Sequence, residues 1–317
     1  MSFGAFVAYR AGWSERVVVE IGLRWDRQSY AADEQISPRI NALWRPNERT
    51  DVRLGAGRYF QSQRIHELRV EDGETTFSPA EASRHLELTV QHRLPRGWSL
   101  RFDAYDRSVT RVQPRWENLF DPLELFPESV ADRVRIAPER ARLRGIELMA
   151  QGSSEGPWAW WVGYSLSFAD DVVDGRAVPR AWDQRHAGKF LAAYTRDGRW
   201  SISLSGTGHT GWPTTPMTAT IATLPDGSTR IDPVVGERNS RRFPGYARLD
   251  LRASRWLALS RGRLRLDLEI LNVTDRSNVC CVGEHLFVER PNGSVDVQRE
   301  LDDWLGITPS AAVTWAF

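Results

Sequence analysis

The sequence has 317 residues, with 42 Lys and Arg against 41 Asp and Glu, which gives a net charge of +1. This balance excludes the extended basic surface that nucleic-acid binding requires, so we expect no nucleic-acid partner. No run approaches the roughly 20 apolar residues of a membrane helix, and two cysteines exclude a disulfide framework.

Apolar and polar residues alternate with the period of a β-strand along most of the chain. The alternation occurs at residues 17–26, 52–57, 86–91, 98–105, 200–205 and 247–254. It is clearest at residues 264–270, where Leu264, Leu266, Leu268 and Ile270 alternate with three charged residues. The final segment, residues 307–317, alternates in the same way and ends on Phe317.

The connections between these segments alternate between short and long. Short ones, rich in turn residues, lie at 12–14, 46–49, 95–97, 153–157, 197–198 and 260–262. Long polar ones lie near 61–82, 111–141, 170–182, 212–243 and 275–303, and a short link at 31–35 is the exception. About thirteen strands with tight turns at one end and long loops at the other are typical of an antiparallel, up-and-down transmembrane β-barrel. If the short turns are periplasmic, the last strand ends at the periplasmic face.

Tryptophan is abundant, with 14 residues, many of them near predicted strand ends. They fit either the core of a soluble β-sandwich or the aromatic girdle of a membrane barrel. A soluble, Trp-rich sandwich that binds glycans is therefore an alternative. The bare aromatic at the chain end favours the membrane, because termini of soluble domains are normally solvated.

Two sequence motifs match catalytic or nucleotide-binding patterns without the required context. Residues 152–156 fit G-x-S-x-G, with Ser154 as nucleophile, but a strand and not a helix is predicted to follow. Residues 206–211 fit G-x-G-x-x-G, yet Trp212 and Pro213 follow instead of a helix. An outer-membrane hydrolase is thus a minor alternative, and we predict no catalytic residue and no enzyme activity.

The histidines are scattered, and none has the spacing of a metal site, so no metal and no cofactor are predicted. Cys280 and Cys281 are adjacent in a predicted loop. The favoured interpretation is two incidental loop cysteines, while a vicinal disulfide, a thiol pair or a weak metal contact with His285 remain open.

Short motifs in order along nearly the whole chain carry a family resemblance. They are Gly22–Asp26, Ile36–Ile40, Arg144–Leu148, Asp183–His186, Thr210–Pro213, Arg242–Arg252, Leu271–Asp275 and the terminal Trp315-Ala316-Phe317. In these motifs the chain resembles the C-terminal part of the barrel of a TonB-dependent outer-membrane receptor.

The resemblance implies a 22-stranded barrel, an N-terminal plug and energy-coupled uptake of a scarce ligand such as a ferric siderophore, haem, cobalamin or a glycan. Residues 1–317 are expected to form one partial barrel domain without the plug. The start of the chain lacks an export signal, so we expect that signal to have been lost by truncation from an outer-membrane protein.

The resemblance also implies partners and contact residues. The partners are outer-membrane lipid, the barrel-assembly machinery through Val313, Trp315 and Phe317 of the terminal strand, and the TonB system only through the missing plug. Ligand contact in this family comes from the long loops and the upper lumen. The candidates here are aromatic and basic residues at the loop bases: Arg115, Trp116, Trp182, His209, Trp212, Arg241 and Arg242.

Overall fold

A computed structural model describes residues 2–121, 124, 126–130, 133–153 and 156–317. The strands in chain order are β1 (Ser2–Ser14), β2 (Val17–Gln28), β3 (Asp33–Asn47), β4 (Thr50–Gln61), β5 (Glu81–Arg93), β6 (Trp98–Thr110), β7 (Arg115–Glu117), β8 (Val134–Ile136), β9 (Arg140–Ser153), β10 (Trp158–Val173), β11 (Arg176–Pro179), β12 (His186–Arg196), β13 (Trp200–His209), β14 (Pro213–Thr214), β15 (Met217–Thr223), β16 (Thr229–Val235), β17 (Arg241–Arg242), β18 (Tyr246–Ala258), β19 (Arg263–Leu271), β20 (Val279–Glu289), β21 (Val295–Asp303) and β22 (Thr308–Ala316).

Helical structure in these ranges consists of four single-turn 3₁₀ segments, at Ile65–Glu67, Val70–Asp72, Pro95–Gly97 and Pro127–Ser129. Within the same ranges, no helix is long and apolar enough to cross a membrane. The all-β prediction is confirmed.

The chain divides into two compact units, and the first comprises residues 1–115 and 136–177. Its sheet has the strand order β1-β2-β3-β4-β5-β6-β9-β10. The neighbours from β1 to β10 are antiparallel. Each long strand therefore lies beside the next long strand in sequence, as an up-and-down meander requires.

The second unit comprises residues 116–135 and 178–317. Its sheet has the order β12-β13-β18-β19-β22, again antiparallel. Eight sheet strands in the first unit and five in the second agree with the predicted thirteen. The long connections, which the sequence predicts to be polar loops, also form two-stranded ribbons: β14–β17, β15–β16 and β20–β21.

The two faces of the strands differ as the alternation predicts. On β19, Leu268 has 60% of its surface exposed, and Leu264, Leu266 and Ile270 are only partly covered. The buried hydrophobic residues in the described ranges include none of these four. A soluble β-sandwich would bury this face under a second sheet. An apolar face left open is instead the surface that a barrel wall presents to lipid.

The opposite face is polar and cross-linked by ion pairs. Asp267 on β19 accepts hydrogen bonds from Arg252 at 3.1 Å and from Ser254 at 2.6 Å, both on β18. In the first unit, Thr89 on β5 donates to Asp103 on β6 at 2.6 Å. Such pairs suit a wall that faces water on this side, where charged side chains remain hydrated.

Candidate ligand-binding site at the loop bases

The long connections of the second unit converge on a compact group of segments, residues 116–121, 179–185, 209–216 and 238–243, called here the loop-base layer. The β14–β17 ribbon pairs Pro213 with Arg242 and Thr214 with Arg241. Thr214 Oγ1 donates to the Phe120 carbonyl at 2.9 Å, and the Thr215 amide donates to the Leu119 carbonyl at 3.0 Å. Thr214 and Thr215 are almost fully buried, so the layer has a packed and hydrogen-bonded interior.

An aromatic cluster joins this layer to the sheet. His209, the last residue of β13, is the register partner of Tyr246 on β18, and their rings stack at 5.0 Å with an interplanar angle of 3°. The Trp212 ring lies 4.8 Å from His209. His209 Nδ1 lies 2.9 Å from the Thr210 carbonyl oxygen. A carbonyl only accepts, so Nδ1 carries the proton in this contact.

A buried carboxylate organises the next part of the layer. Asp183 is 1% exposed, and its Oδ2 forms ion pairs with Arg242 and, at 3.2 Å, with Arg185. Arg242 also donates to the main-chain carbonyls of Asp183 at 2.6 Å and of Gly211 at 3.0 Å. Because a buried charge is tolerated only when paired and hydrogen-bonded, these contacts fix the β17 arginine against the residue 182–185 segment.

The remaining candidates of the second unit occupy different environments. Trp182, next to the buried Asp183, is 65% exposed, and Arg241 on β17 is exposed as well. Trp116 packs beneath the guanidinium of Arg133, which lies 5.0 Å from the ring centroid. The layer therefore brings together six of the seven predicted contact residues, with Trp182 and Arg241 open to solvent.

Arg115, the seventh candidate, belongs to the first unit. Its Nη2 lies 2.5 Å from Oδ2 of Asp171, a carboxylate with no exposed surface. This buried ion pair engages Arg115 within its own unit, and its contact with a ligand stays a prediction.

Arg299 on β21 holds the β20–β21 hairpin against the loop-base layer. It donates from Nη1 to Thr214 Oγ1 and from Nη2 to the Thr215 carbonyl, both at 2.8 Å, and from Nε to His285 Nε2 at 3.3 Å. Its guanidinium also lies 5.5 Å from the Phe243 ring centroid. Burial lowers the pKa of Arg299, while the charge of Asp121 acts in the opposite direction.

Sequence reasoning missed Arg299 because it missed the hairpin that carries it. The signal was present: Arg290-Pro-Asn-Gly-Ser294 is a turn sequence between two alternating segments, and Leu224-Pro-Asp-Gly-Ser228 is its counterpart between β15 and β16. The two tips have the same geometry. In each, the Asn or Asp side chain accepts a hydrogen bond from the Ser amide two residues later, at 3.0 and 2.9 Å.

The described residues of the two catalytic or nucleotide-binding motifs lie in strands and in the short segments beside them. The G-x-G-x-x-G residues end β13 and are followed by β14, without the helix that a dinucleotide site needs. Gly206 lies between its register partners Phe190 and Leu249 and makes room for the Phe190 ring. In the G-x-S-x-G segment, Ser154 and Glu155 lie outside the described residues. Across the described ranges, no group of three His, Cys, Asp or Glu residues is placed to hold a metal ion.

The cysteine interpretation requires correction. Cys280 and Cys281 lie on β20 and not in a loop, and they form a vicinal disulfide. The sequence indicates a loop because both cysteines lie within the long polar connection near residues 275–303. The structure instead starts the strand at Val279, directly after the buried Asn278, whose side chain hydrogen-bonds to both main-chain groups of Ala247.

The terminal strand, β22, pairs with β19 and leaves the predicted assembly residues exposed. Val313 is 68%, Trp315 56% and Phe317 98% exposed. Trp315 Nε1 donates to the Arg261 carbonyl at 3.0 Å, and its ring contacts that of Phe317 at 5.6 Å. The aromatic end of the chain is thus held beside the β18–β19 turn.

Comparison with known proteins defines the class. Residues 1–273 match the family described as "TonB dependent receptor-like, beta-barrel". The chain belongs to this family of TonB-dependent receptors and forms part of their barrel wall. The family is one of outer-membrane transporters and receptors, not enzymes. No curated protein matches the sequence.

Solved structures agree with this fold. The ferric enterobactin receptor PfeA from Pseudomonas aeruginosa, as a Q482A mutant with enterobactin, has a TM-score of 0.65 at 14% identity and covers 100% of this chain. The FrpB iron transporter from Neisseria meningitidis (F3-3 variant) has a TM-score of 0.62 at 16% identity and covers 98%. The pyoverdine receptor FpvA from P. aeruginosa has a TM-score of 0.62 at 12% identity and covers 100%. The chain spans 45%, 44% and 42% of these proteins, less than half of each.

Proposed function

We propose that the chain is the C-terminal part of the barrel of an outer-membrane receptor for energy-coupled uptake of a scarce ligand, and that the ligand is a ferric siderophore. The loop-base layer is the observation that supports this proposal. It gathers aromatic rings and guanidinium groups, which suit an anionic iron chelate with aryl groups because rings stack on aryl faces and arginines pair with its negative charge. The named neighbours, an iron transporter and two siderophore receptors, point to the same ligand class.

Within the layer, we assign direct ligand contact to Trp182 and Arg241. Both are exposed, whereas the donors of Arg242 are engaged by Asp183 and by main-chain carbonyls. His209 and Trp212 would then form the aromatic floor of the site. Haem, cobalamin and glycans are the competing ligands, and each offers a different balance of planar surface and charge.

Ligand binding to the detergent-refolded chain tests this assignment. Tryptophan fluorescence would be titrated with ferric enterobactin, ferric pyoverdine, haemin, cyanocobalamin and a maltodextrin. We expect quenching by one of the ferric chelates and a roughly tenfold or greater loss of affinity in Trp182→Phe/Arg241→Ala. Trp13→Phe, an exposed tryptophan on β1 of the first unit, is the matched control.

The outcomes are distinct. Binding of haemin, cobalamin or maltodextrin instead of the chelates would show that the proposed ligand class is wrong, while the proposed location of the site would stand. Equal affinity in wild type and the double variant would remove these two residues from the site.

Assembly is the second part of the proposal: Val313, Trp315 and Phe317 engage the barrel-assembly machinery, lipid contacts the apolar face, and coupling to TonB passes through a plug. Phe317 is 98% exposed, so its removal costs little packing and its effect reports recognition. Phe317→Ala should slow machinery-assisted insertion into liposomes, while Leu305→Ala, at another largely exposed apolar residue, should not. Equal insertion rates would contradict the assignment.

A further inference from the structure

The Cys280–Cys281 disulfide has no role in ligand uptake as proposed above, yet it lies at a distinctive place in the β20–β21 hairpin. Val279 is the register partner of Asp303 and Cys281 that of Asp302, so Cys280 is the extra residue of a β-bulge. Bulges bend a strand and leave the extra residue unpaired. The disulfide therefore includes Cys280, the residue that the first register shift of this hairpin leaves without a cross-strand partner.

The bulge lies between two anchors of the hairpin. On one side, Asn278 is buried, bonds to Ala247 of β18 and accepts from the Trp304 amide at 2.7 Å through its carbonyl. On the other side, His285 and Arg299 connect the hairpin to Thr214 and Thr215 of the loop-base layer. The segment between these anchors contains the disulfide and a second register shift between Val282 and His285.

We propose that Cys280–Cys281 is a thiol-exchange site whose oxidation state sets the order of the β20–β21 hairpin. Cys281 is exposed, while Cys280 is half-buried, so an incoming low-molecular-weight thiolate reaches Cys281 Sγ first. That attack breaks the Cys280–Cys281 bond, forms a mixed disulfide on Cys281 and leaves Cys280 as a thiolate. A second low-molecular-weight thiolate then attacks the external sulfur of this mixed disulfide. The two external thiols leave as a disulfide and Cys281 is released as a thiolate, which completes a two-electron reduction. Attack by the Cys280 thiolate on the mixed disulfide reverses the first step.

Reduction of the disulfide increases the conformational freedom of the backbone in this part of β20. A bond between adjacent side chains restricts the backbone of both residues, and its loss returns that freedom to a segment that is already unpaired at Cys280. Local opening of β20 between its two anchors then becomes easier. The entropy that a disulfide removes from an open chain depends on the length of the loop that it closes. For a loop of two adjacent residues, this entropy corresponds to a roughly tenfold change in the equilibrium between closed and open β20.

Hydrogen exchange on the refolded chain tests the proposal, with the β15–β16 hairpin as the internal control. That hairpin carries the same type of tip but contains no cysteine. Dithiothreitol should accelerate exchange in the peptide covering residues 279–289 by roughly tenfold and leave the peptide covering β16 unchanged. Alkylation before reduction should label neither cysteine, and alkylation after reduction should label both.

A double variant distinguishes the effect of losing the disulfide from any other effect of dithiothreitol. Cys280→Ser/Cys281→Ser should exchange at the reduced rate with or without dithiothreitol. Labelling of both thiols before reduction would overturn the proposal, as would serine-variant exchange at the oxidised rate. Equal acceleration of β16 would also overturn it, because it would indicate general loosening. None of these outcomes bears on siderophore binding, so the proposed function is tested separately.

Discussion

Substitution of Leu268 by arginine tests whether the open apolar face of the sheet contacts lipid. Leu268 lies near the middle of β19, between Ala253 on β18 and Ala311 on β22, and is 60% exposed. Its small neighbours do not cover it, so the surroundings of the side chain are set by the medium.

The cost of Leu268→Arg in free energy of unfolding depends on which of three media surrounds the side chain. In the hydrocarbon core, an arginine on the lipid face of a barrel costs about 2–4 kcal/mol. If the face were in water, a substitution at so exposed a site would change the free energy of unfolding by no more than about 0.5 kcal/mol. If another protein layer sealed the face, the unpaired charge would cost more than about 4 kcal/mol. We expect the first value.

Ser310→Arg is the matched control. Ser310 lies on β22, one residue from the partner of Leu268, but its register partner is Glu269 on the charged face. The same arginine there faces water and a carboxylate, so we expect a change within about 0.5 kcal/mol. The assay is guanidinium-induced unfolding of the chain in phosphatidylcholine vesicles, followed by tryptophan fluorescence. Equal costs for the two variants, or no cost for Leu268→Arg, would refute the assignment of the two faces.

Two further predictions concern the surface hairpins. Arg299→Met leaves the buried Thr215 carbonyl without its donor, so undocking of β20–β21 should become easier by about 1–3 kcal/mol, seen as faster proteolysis of that hairpin. Arg290→Met, at an exposed ion pair of the same hairpin, should have little effect, and equal sensitivity of the two would argue against the Arg299 contacts. The second of these predictions concerns the β15–β16 tip, where hydrogen bonds from Ser228 lower the pKa of Asp226 below its ordinary value of 3.8. The ionised carboxylate therefore stabilises the tip fully above pH 3.8. This stabilisation is lost as the pH falls through the lowered pKa. Asn292, the matching acceptor in the other tip, has no ionisable side chain, so NMR of the two serine amides should show acid loosening at residues 224–228 only. A parallel change at both tips would contradict the assignment.

The barrel wall could be predicted from sequence because its signal is local. Side chains on a strand alternate strictly between two faces, so a run such as residues 264–270 gives both the strand and its two environments. The turns added the connectivity, since Asp197-Gly198 and similar pairs allow the positive φ that tight connections need. These two signals were sufficient for the thirteen strands and their order within each unit.

The loop-base layer could not be predicted in the same way. Arg299 reaches Thr215 across 84 residues, and Arg242 reaches Asp183 across 59. No sequence period encodes a contact between an arginine and a distant carbonyl or carboxylate. The hairpins within the long connections were predictable, but the alternation of β20 was hidden by its bulges at Cys280 and between Val282 and His285.

The layer also explains why a list of candidate residues is not yet a binding site. Arginine has five donors, and Arg242 and Arg299 use theirs in part on the main-chain carbonyls of Asp183, Gly211 and Thr215. Substituting either one therefore disturbs the fold of the layer before it changes any ligand contact. Trp182 and Arg241 lie on that support with their side chains exposed. A loss of binding that is confined to these two positions would separate recognition from the packing that holds the site in place.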